Sequence, residues 1–481
     1  MATRVVRPKL LHNLRYFVKP LNSAPTSTAT LPPLNFDRKL VTNVSTLPST
    51  TTTTSADSIL NLDSAKELFS TVSSVKLVRS SITLDVVAME QVVDLGMWVM
   101  NSRLMEVPVL RETILGTVKH TFFEHFCAGE CPEEACRTVL KLRDAGLRGM
   151  LDYGLEHATD NETCDRNLDG FIQTIKSTKS LPHSSVSFVI VKMTAICPQR
   201  LLKRVSDLLR WEYKDSSFDL PWKLNTLPIF SESSPLYHTL EKPEPLSPQE
   251  EHDLHLGHQR LLKICRKCLE ADVPLTIDAE DTSVQPAIDY FTYSAAIMYN
   301  KDNISIIYGT IQAYLKDAKE RLLNASKAAE KLGVPMGFKL VRGAYMSSER
   351  QLAASLGVES PIHNTIHQTH ACYNDCASFM LEKVAHGSGA VVLATHNVES
   401  GKMAAAKALE LGIEKENLKL QFAQLYGMAQ ALSFGLRNAG FQVSKYMPFG
   451  PLNQVLPYLL RRAEENRGLL STSTIDRHLM R

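Results

Sequence analysis

Eight short apolar segments alternate with longer helical patterns from residue 141 onward, and this alternation constrains the fold more than any other feature of the chain. The middle segments are continuous apolar runs, which is typical of strands covered on both faces of a parallel sheet. The predicted strands are Gly149–Tyr153, Val186–Met193, Leu275–Ala279, Ile304–Gln312, Gly337–Val341, Ala390–Thr395, Leu418–Phe422 and Gln442–Met447. The pattern favours an α/β fold built as a parallel (βα)8 barrel of the TIM type, with an open doubly wound sheet as the alternative.

The chain divides into three predicted regions. Residues 1–55 form a leader with a Ser/Thr-rich linker, residues 56–140 a mostly helical region, and residues 141–481 the barrel. The interval at about 196–258 is polar, rich in Pro and Ser, and longer than a usual connection. We interpret it as an insertion after the second strand, with a helix restarting near Pro248. Further helices are predicted at Pro132–Ala145, Leu315–Leu332 and Lys402–Leu411.

The leader has the composition of an organellar transit peptide. Residues 1–36 contain no acidic side chain, and a Ser/Thr/Pro-rich stretch follows them. Basic residues recur among apolar ones at near-helical spacing, at Arg4, Arg7, Lys9, Arg15 and Lys19. Arg-rich, Ser-rich and acid-free sequence predicts mitochondrial import, with a disordered basic tail as the alternative.

Composition excludes several classes of function. With 53 basic and 51 acidic residues, the chain has no overall positive field to attract nucleic acid. The nine cysteines show no paired metal-binding spacing, so we expect neither a metal site nor a disulfide framework. There is no P-loop, no nucleophile elbow and no Rossmann glycine loop. No run of 18 apolar residues occurs, so we expect no membrane span, although the protein could lie against a membrane.

Polar side chains recur at the carboxyl ends of the predicted strands, where the chemistry of a barrel is located. These residues are Lys192, Asp278, Gln312, Lys339, Arg342, Thr395, His396 and Tyr446. A single buried polar group is usually a satisfied structural one, but six strand ends carrying such groups point to a site. A buried lysine such as Lys192 requires a carboxylate partner or a bound anion.

The helical segment after the last strand contains a compact charged pattern. Tyr458, Arg461, Arg462 and Glu465 recur at i, i+3, i+4 and i+7, which places them on one helix face. Two adjacent guanidinium groups beside a tyrosine form a fork suited to a carboxylate. A solvated stripe of Glu/Arg pairs is the alternative.

These segments together resemble the proline dehydrogenase family, in particular its plant mitochondrial members. The resemblance spans about residues 140–470, and the motifs occur in the family's order. The segments are Val191-Lys192, Asp278-Ala279-Glu280, Ile311-Gln312-Ala313-Tyr314, the run from Lys339 to Tyr345, Thr395-His396-Asn397, the run from Tyr446 to Gly450 and the helix from Tyr458 to Asn466. The resemblance implies a distorted (βα)8 barrel that holds FAD without a covalent bond. It also implies oxidation of L-proline to Δ1-pyrroline-5-carboxylate by hydride transfer, the first step of proline catabolism, with a membrane quinone as electron acceptor on the matrix side.

The resemblance also assigns roles to residues. Arg461 and Arg462 would bind the proline carboxylate and Lys192 would add positive charge, while Glu465 would hold the arginines. Tyr446 and Tyr458 would pack around the ring, and the size of Tyr446 would disfavour 4-hydroxyproline. Asp278 and Lys339 match the polar pair of the active site. The positions that match FAD contacts are Gln312, Lys339, Arg342, Gly343, Ala344, Thr395 and His396.

Three questions remain open at this level. Lys339 precedes Arg342, whereas bacterial members often place Arg first, so either cation could lie nearer the flavin ring. Lys192 or Lys339 could instead be the nucleophile of a Schiff-base lyase or aldolase. A protein that only binds an amino acid would also keep the arginine pair. Bound flavin would distinguish a proline dehydrogenase from the lyase and from the protein that only binds an amino acid.

Overall fold

The computed structural model describes residues 59–62, 64–100, 102–468, 475–476 and 478–480, with side-chain detail absent at 87, 90, 97 and 463–468. The predicted leader at 1–55 lies outside the described residues. The described residues form one unit by their internal contacts.

Eight parallel strands close into a barrel in sequence order, and β1 pairs with β8 along its whole length. The strands are β1 (Arg148–Tyr153), β2 (Val186–Val191), β3 (Leu275–Ile277), β4 (Ile307–Gln312), β5 (Met336–Val341), β6 (Gly389–Ala394), β7 (Leu420–Leu425) and β8 (Val443–Phe449). The predicted TIM-type barrel is confirmed, and the open sheet is excluded. Inside the barrel, the rings of Phe188 and Tyr308 pack edge to face with their centres 4.8 Å apart.

The boundaries of several strands differ from the prediction, since β3 already ends at Ile277 and β4 begins only at Ile307. β2 ends at Val191, because Lys192 already caps a short helix. β7 and β8 extend past the predicted ends, and β8 continues through Met447 to Phe449. Tyr446 therefore lies within β8 and not at its end. β7 continues past the predicted end at Phe422 through the polar residue Gln424 to Leu425.

The helices surround the barrel and precede it. They are α1 (Ala65–Leu68), α2 (Ser74–Ala88), α3 (Glu90–Met100), α4 (Pro108–Val118), α5 (Glu124–Phe126), α6 (Pro132–Asp144), α7 (Asn161–Thr178), α8 (Met193–Ile196), α9 (Gln199–Lys214), α10 (Pro248–Ala271), α11 (Gln285–Tyr299), α12 (Ala318–Lys331), α13 (Met346–Ser355), α14 (Ile366–Ala385), α15 (Val398–Glu410), α16 (Gln430–Asn438) and α17 (Leu452–Gly468). The helices that precede the barrel, α1 to α6, form one group. A 3-10 turn at Arg103–Glu106 and a π-helical turn at Lys119–Phe123 interrupt this group. The predicted helical character of this group is confirmed.

Two helices show how local sequence sets the boundaries. Pro132 occupies the first turn of α6, and Gly146 follows its end with φ of +73°, a backbone angle that glycine adopts without strain. Ser247 and Glu250 form a reciprocal capping box at the start of α10, as the restart near Pro248 predicted.

The interval interpreted as an insertion is partly regular structure. Its first part is α9, an amphipathic helix that packs against α11. Only residues 215–247 run without helix or strand before α10 begins.

The helices before the barrel pack onto the helix that follows it. α2 and α3 contact each other, and both contact α17. Leu84 of α2 and Val93 of α3 are the apolar side chains that these two helices bury. Within the described residues, no helix has the length and apolar character needed to cross a membrane.

Candidate active site

Asp278 is the centre of a buried network at the carboxyl ends of the strands. One of its oxygens forms an ion pair with Lys339 of β5, and the other accepts a hydrogen bond of 2.7 Å from the Tyr446 hydroxyl. Lys192 lies 3.6 Å from Asp278 and donates to both oxygens of Asp152 at 3.0 Å. Lys192 also donates to the Tyr446 hydroxyl at 3.3 Å. β1, β2, β3, β5 and β8 thus meet at one cluster of charges.

The charges of this cluster stabilise one another. Burial favours the neutral form of each group, yet the cations Lys339 and Lys192 hold the pKa of Asp278 below its usual value. Burial likewise opposes the charge of Lys192, but the carboxylates of Asp152 and Asp278 outweigh burial and raise its pKa. The pKa of Asp152 is raised, because burial outweighs its contact with Lys192. Burial and the two carboxylates raise the pKa of Tyr446, so its hydroxyl keeps its proton.

Arg461 of α17 reaches this end of the barrel from above. Its guanidinium makes a two-pronged pair with Glu156, which follows β1, at 2.7 and 3.2 Å. Glu156 is buried, but the charges of Lys192 and Arg461 outweigh that burial and lower its pKa. Arg461 is therefore already positioned to bind a carboxylate, and a substrate with a carboxylate would offer it the same chemical group as Glu156 does.

Arg462 is buried next to Arg461, and its guanidinium lies 5.2 Å from the centre of the Tyr458 ring. Tyr458 is buried too and packs with Phe123 and Val455. The side chain of Glu465 lies outside the described residues, so its predicted role stays a prediction. The carboxylate that the structure places on Arg461 is Glu156, which sequence reasoning did not single out.

A second polar group lies on the β5–β6 side. Arg342 donates to His370 at 3.0 Å, to Thr395 at 2.7 Å and to Ser400 at 2.8 Å, while its guanidinium stacks 4.4 Å from the Tyr373 ring. Thr395 and Ser400 bracket the start of α15. A guanidinium, hydroxyl groups and a helix N-terminus lie together here, and this is chemistry suited to phosphate.

The other predicted cofactor positions lie around this group. Gln312 donates to the backbone oxygen of Glu280 at 2.8 Å. His396 is buried and accepts from the Leu425 N–H at 3.0 Å; burial lowers its pKa to about 3, so its ring is neutral. Gly343 and Ala344 are exposed. A Cβ at Gly343 would lie 2.4 Å from the Tyr314 ring, so the backbone there is necessarily bare.

Several functional candidates escaped the sequence reasoning. Asp152 was detectable, since it is the one charge in an otherwise apolar strand after Gly149. Glu156, His370 and Ser400 carry no local signal, because each is defined by a partner that folding brings near. Glu280 accepts two hydrogen bonds from Thr194, and burial raises its pKa to about 8. Lys339 joins Asp278 inside the barrel and Arg342 lies to one side, so the structure separates the two cations that the sequence left interchangeable.

The described residues contain no group of three or more metal-ligating side chains.

The relatives by sequence include proline dehydrogenases and a hydroxyproline dehydrogenase. The chain is 53% identical to proline dehydrogenase 2, mitochondrial, of Arabidopsis thaliana over 484 residues, covering 100% of this chain and 98% of that protein. It is 59% identical to proline dehydrogenase 1, mitochondrial, of the same plant, covering 88% and 85%. The human hydroxyproline dehydrogenase is 32% identical, covering 76% and 80%.

Solved structures agree on the fold. Proline utilization A from Bdellovibrio bacteriovorus, inactivated by N-propargylglycine, superposes with a TM-score of 0.58 at 21% identity. The match covers 84% of this chain, which spans 38% of the length of that protein. The sequence model of the family described as proline dehydrogenase matches residues 135–474. The chain belongs to the proline dehydrogenase family.

Proposed function

We propose that this protein uses bound FAD to oxidise L-proline to Δ1-pyrroline-5-carboxylate and passes the electrons to a quinone. The observation that carries the proposal is the position of Arg461. It lies over the same end of the barrel as the buried Lys192–Asp278–Tyr446 network, with Arg462 beside it. A small zwitterion needs such a site, with cations for its carboxylate and a closed polar surface for the rest.

Arg461 and Arg462 would bind the substrate carboxylate. Glu156 already holds the Arg461 fork in a fixed orientation, so an entering carboxylate meets a preorganised cation. Lys192 adds positive charge from below, and its contacts with Asp152 and Asp278 keep it charged. The Tyr446 ring lies beside these groups, with Lys339 Nζ 5.3 Å from the ring centre and the hydroxyl fixed by Asp278.

The residues of the β4–β6 side fit a flavin nucleotide. Arg342 with Thr395 supplies cation and hydroxyl donors for phosphate, Gly343 exposes bare backbone, and Gln312 supplies an amide. These residues, with Lys339, Ala344 and His396, would hold FAD. When bound, it would accept a hydride, the electron pair of the C–H bond on the carbon next to nitrogen, which no side chain can do.

The lysines of the site are not free bases. Lys192 is held charged between two carboxylates, and Lys339 is paired with Asp278. We therefore assign the amine proton of proline to solvent. The same contacts argue against a Schiff-base lyase, since that chemistry needs a lysine with a lowered pKa.

The decisive experiment is the visible spectrum of the purified protein. We expect flavin absorption that is released by denaturation as FAD, and that bleaches without oxygen when L-proline is added. A colourless protein that binds proline would support an amino-acid-binding function. A colourless protein whose lysine is trapped by borohydride with a keto acid would support the lyase.

We also propose that the protein acts in the mitochondrion, where a quinone is available. The acid-free leader at 1–55 and the names of the plant relatives support this location. Residues 1–55 fused to a fluorescent protein should direct it into mitochondria, and Arg4→Glu/Arg7→Glu should reduce import. Import unaffected by the substitutions would leave a basic tail as the better interpretation.

A further inference from the structure

A cleft of about 780 Å³ lies on the flank of the barrel, between α2, α6 and the turn before α16. None of the charged residues of the strand-end network lines it. Five basic side chains line it, against two carboxylates. They are Lys76, Arg79, Lys119, Arg137 and Lys141, and the carboxylates are Glu124 and Glu134.

Two of these cations lack a carboxylate. Arg79 pairs with Glu124 and Lys119 with Glu130, but no acidic group among the described residues lies within ion-pair distance of Lys76 or Lys141. Lys76 and Lys141 repel each other across the cleft, and this repulsion adds to burial in lowering the pKa of Lys76. An anion between the two ammonium groups would relieve both effects.

Apolar side chains are exposed beside this cleft. Ten of the 25 large hydrophobic side chains exposed in the described structure fall within residues 75–110. On α2, Val75, Val78 and Ile82 are more than half exposed and recur at i, i+3 and i+7, so they form one stripe. Val75 also lines the cleft, which joins the apolar stripe to the cationic site.

α3 continues the exposed surface. Leu95 is 59% and Trp98 62% exposed, one helical turn apart. The buried residues Leu84 and Val93 lie on the opposite sides of α2 and α3, so each stripe faces away from the side chain that its helix buries. Apolar patches of this extent mark binding surfaces, and an exposed tryptophan is typical of the membrane–water interface.

We propose that α2, α3 and the cleft form a docking surface for an anionic lipid bilayer, with an acidic headgroup between Lys76 and Lys141 and the stripes of α2 and α3 in the interface. Charge complementarity selects this occupant, because an apolar face next to two uncompensated lysines matches a surface of acyl chains and phosphates. The inference rests on the proposed function, in which electrons pass to a quinone. Docking through α2 and α3 would place the membrane that holds this acceptor against the two helices that contact α17, the helix that carries Arg461 and Arg462.

The test is sedimentation of the full chain with vesicles of phosphatidylcholine, alone or with one third phosphatidylglycerol. We expect stronger binding to the anionic vesicles, and about 30-fold weaker binding to them for Lys76→Gln/Lys141→Gln, from about 1 kcal/mol per basic residue. Leu95→Ser/Trp98→Ser should weaken binding to both vesicles by about tenfold or more.

Matched controls come from the opposite side of the barrel. α12 lies between β4 and β5, four strands away from α6, and its exposed Lys327, Lys331 and the following Leu332 contribute to neither surface. Lys327→Gln/Lys331→Gln and Leu332→Ser should bind vesicles as the natural chain does. All variants should keep proline oxidation with a water-soluble acceptor, whereas quinone reduction in anionic vesicles should fall with binding. If the natural chain does not oxidise proline with the water-soluble acceptor, the proposed function is contradicted, whereas the result on vesicle binding still stands.

Three results would overturn the docking surface. One is anionic binding that is unchanged in Lys76→Gln/Lys141→Gln. A second is protection of Lys76 and Lys141 from acylation by millimolar inorganic phosphate without vesicle binding, which would identify a soluble anion as the ligand. The third is a dimer that Leu95→Ser/Trp98→Ser dissociates in the absence of vesicle binding, which would assign the apolar face to a second copy of the chain.

Discussion

Two buried lysines, Lys192 and Lys445, show how differently one barrel treats the same side chain. Lys192 contacts both oxygens of Asp152 inside the barrel, and the neighbouring carboxylates raise its pKa. Lys445 is completely buried on the outer face of β8, where it donates to the Met428 oxygen and to Ser433. Burial lowers its pKa to about 7, although Asp476 partly offsets this.

Burial is the same in both places, so contact with carboxylates decides the outcome. Lys192 has two within 4 Å, and the pair energy outweighs the loss of hydration. Lys445 has neutral oxygens as partners, and Asp476 spends its own oxygens on the N–H groups of Gln430 and Ala431, both at 2.8 Å. The barrel therefore maintains fixed charge where a zwitterion would bind, and a lysine able to lose its proton where it only packs.

The largest effect should come from removing a carboxylate of the inner network. Asp278→Asn leaves Lys339 buried without its ion pair, which should lower the free energy of unfolding by about 3–5 kcal/mol and abolish proline oxidation. Asp476→Asn should cost only about 1–2 kcal/mol, because Lys445 can release its proton near neutral pH. Denaturant unfolding of both variants measures the difference. Equal losses would show that the two lysines are not held differently.

The second effect is a pH dependence that Lys445 contributes and Lys192 does not. Its pKa of about 7 in the folded protein lies below the ~10.4 of an unfolded lysine, so between these values the unfolded chain binds more protons. The free energy of unfolding should therefore rise with pH from about 7 to 10, by up to about 1.4 kcal/mol per pH unit. Lys445→Met should flatten this rise.

Lys192→Met is the matched comparison. The pKa of Lys192 is raised, so its contribution is fully present below the unfolded pKa and is lost only as the pH passes the folded value. The slope between pH 7 and 10 should be unchanged in this variant. A slope that persists in Lys445→Met and disappears in Lys192→Met would reverse the assignment.

How much of this contrast the sequence could predict depends on the kind of partner. The barrel and the strand-end positions of Lys192 and Asp278 follow from apolar runs and the polar residue that ends them, and Lys339 stands out as the one charge within the fifth run. The family resemblance then supplied candidate roles. A lysine at position 445, in contrast, looks like any polar residue of an alternating strand.

Long-range pairing is what sequence patterns cannot show. Arg461 and Glu156 are 305 residues apart, and nothing near either residue indicates the other. The same is true of Asp476, whose carboxylate caps α16 from the end of the chain. The end of β7 differs from the prediction because Gln424, whose side chain contacts Ser433 of α16, interrupts the apolar pattern without ending the strand.

The third effect separates charges that would serve the substrate from those that serve packing. Arg461→Met and Arg462→Met should each retain FAD but raise the KM for proline about 10- to 150-fold, since each removes a charge-assisted bond of about 1.5–3 kcal/mol. Glu156→Gln should raise KM less, because it frees the Arg461 fork without removing it. Lys445→Met should leave KM within about twofold. Steady-state kinetics at fixed pH provide the test, and an unchanged KM in both arginine variants would refute the carboxylate-binding role.

The smallest effect concerns the neighbour of Lys445 on the same strand. Tyr446 points into the barrel, where its hydroxyl is held by Asp278 at 2.7 Å and by Lys192 at 3.3 Å and its ring fills the space beside them. Tyr446→Ser should weaken proline oxidation by about 1–3 kcal/mol through lost packing, while relief of the clash offsets that loss for 4-hydroxyproline. The preference for proline over 4-hydroxyproline, measured as the ratio of their kcat/KM values, should therefore fall by about tenfold or more. Tyr446→Phe is the matched control, because it keeps the ring and removes only the hydroxyl, and it should leave the ratio near its natural value. A ratio that moves in Tyr446→Phe as far as in Tyr446→Ser would assign substrate choice to the hydrogen bonds with Lys192 and Asp278 and not to the volume of the ring.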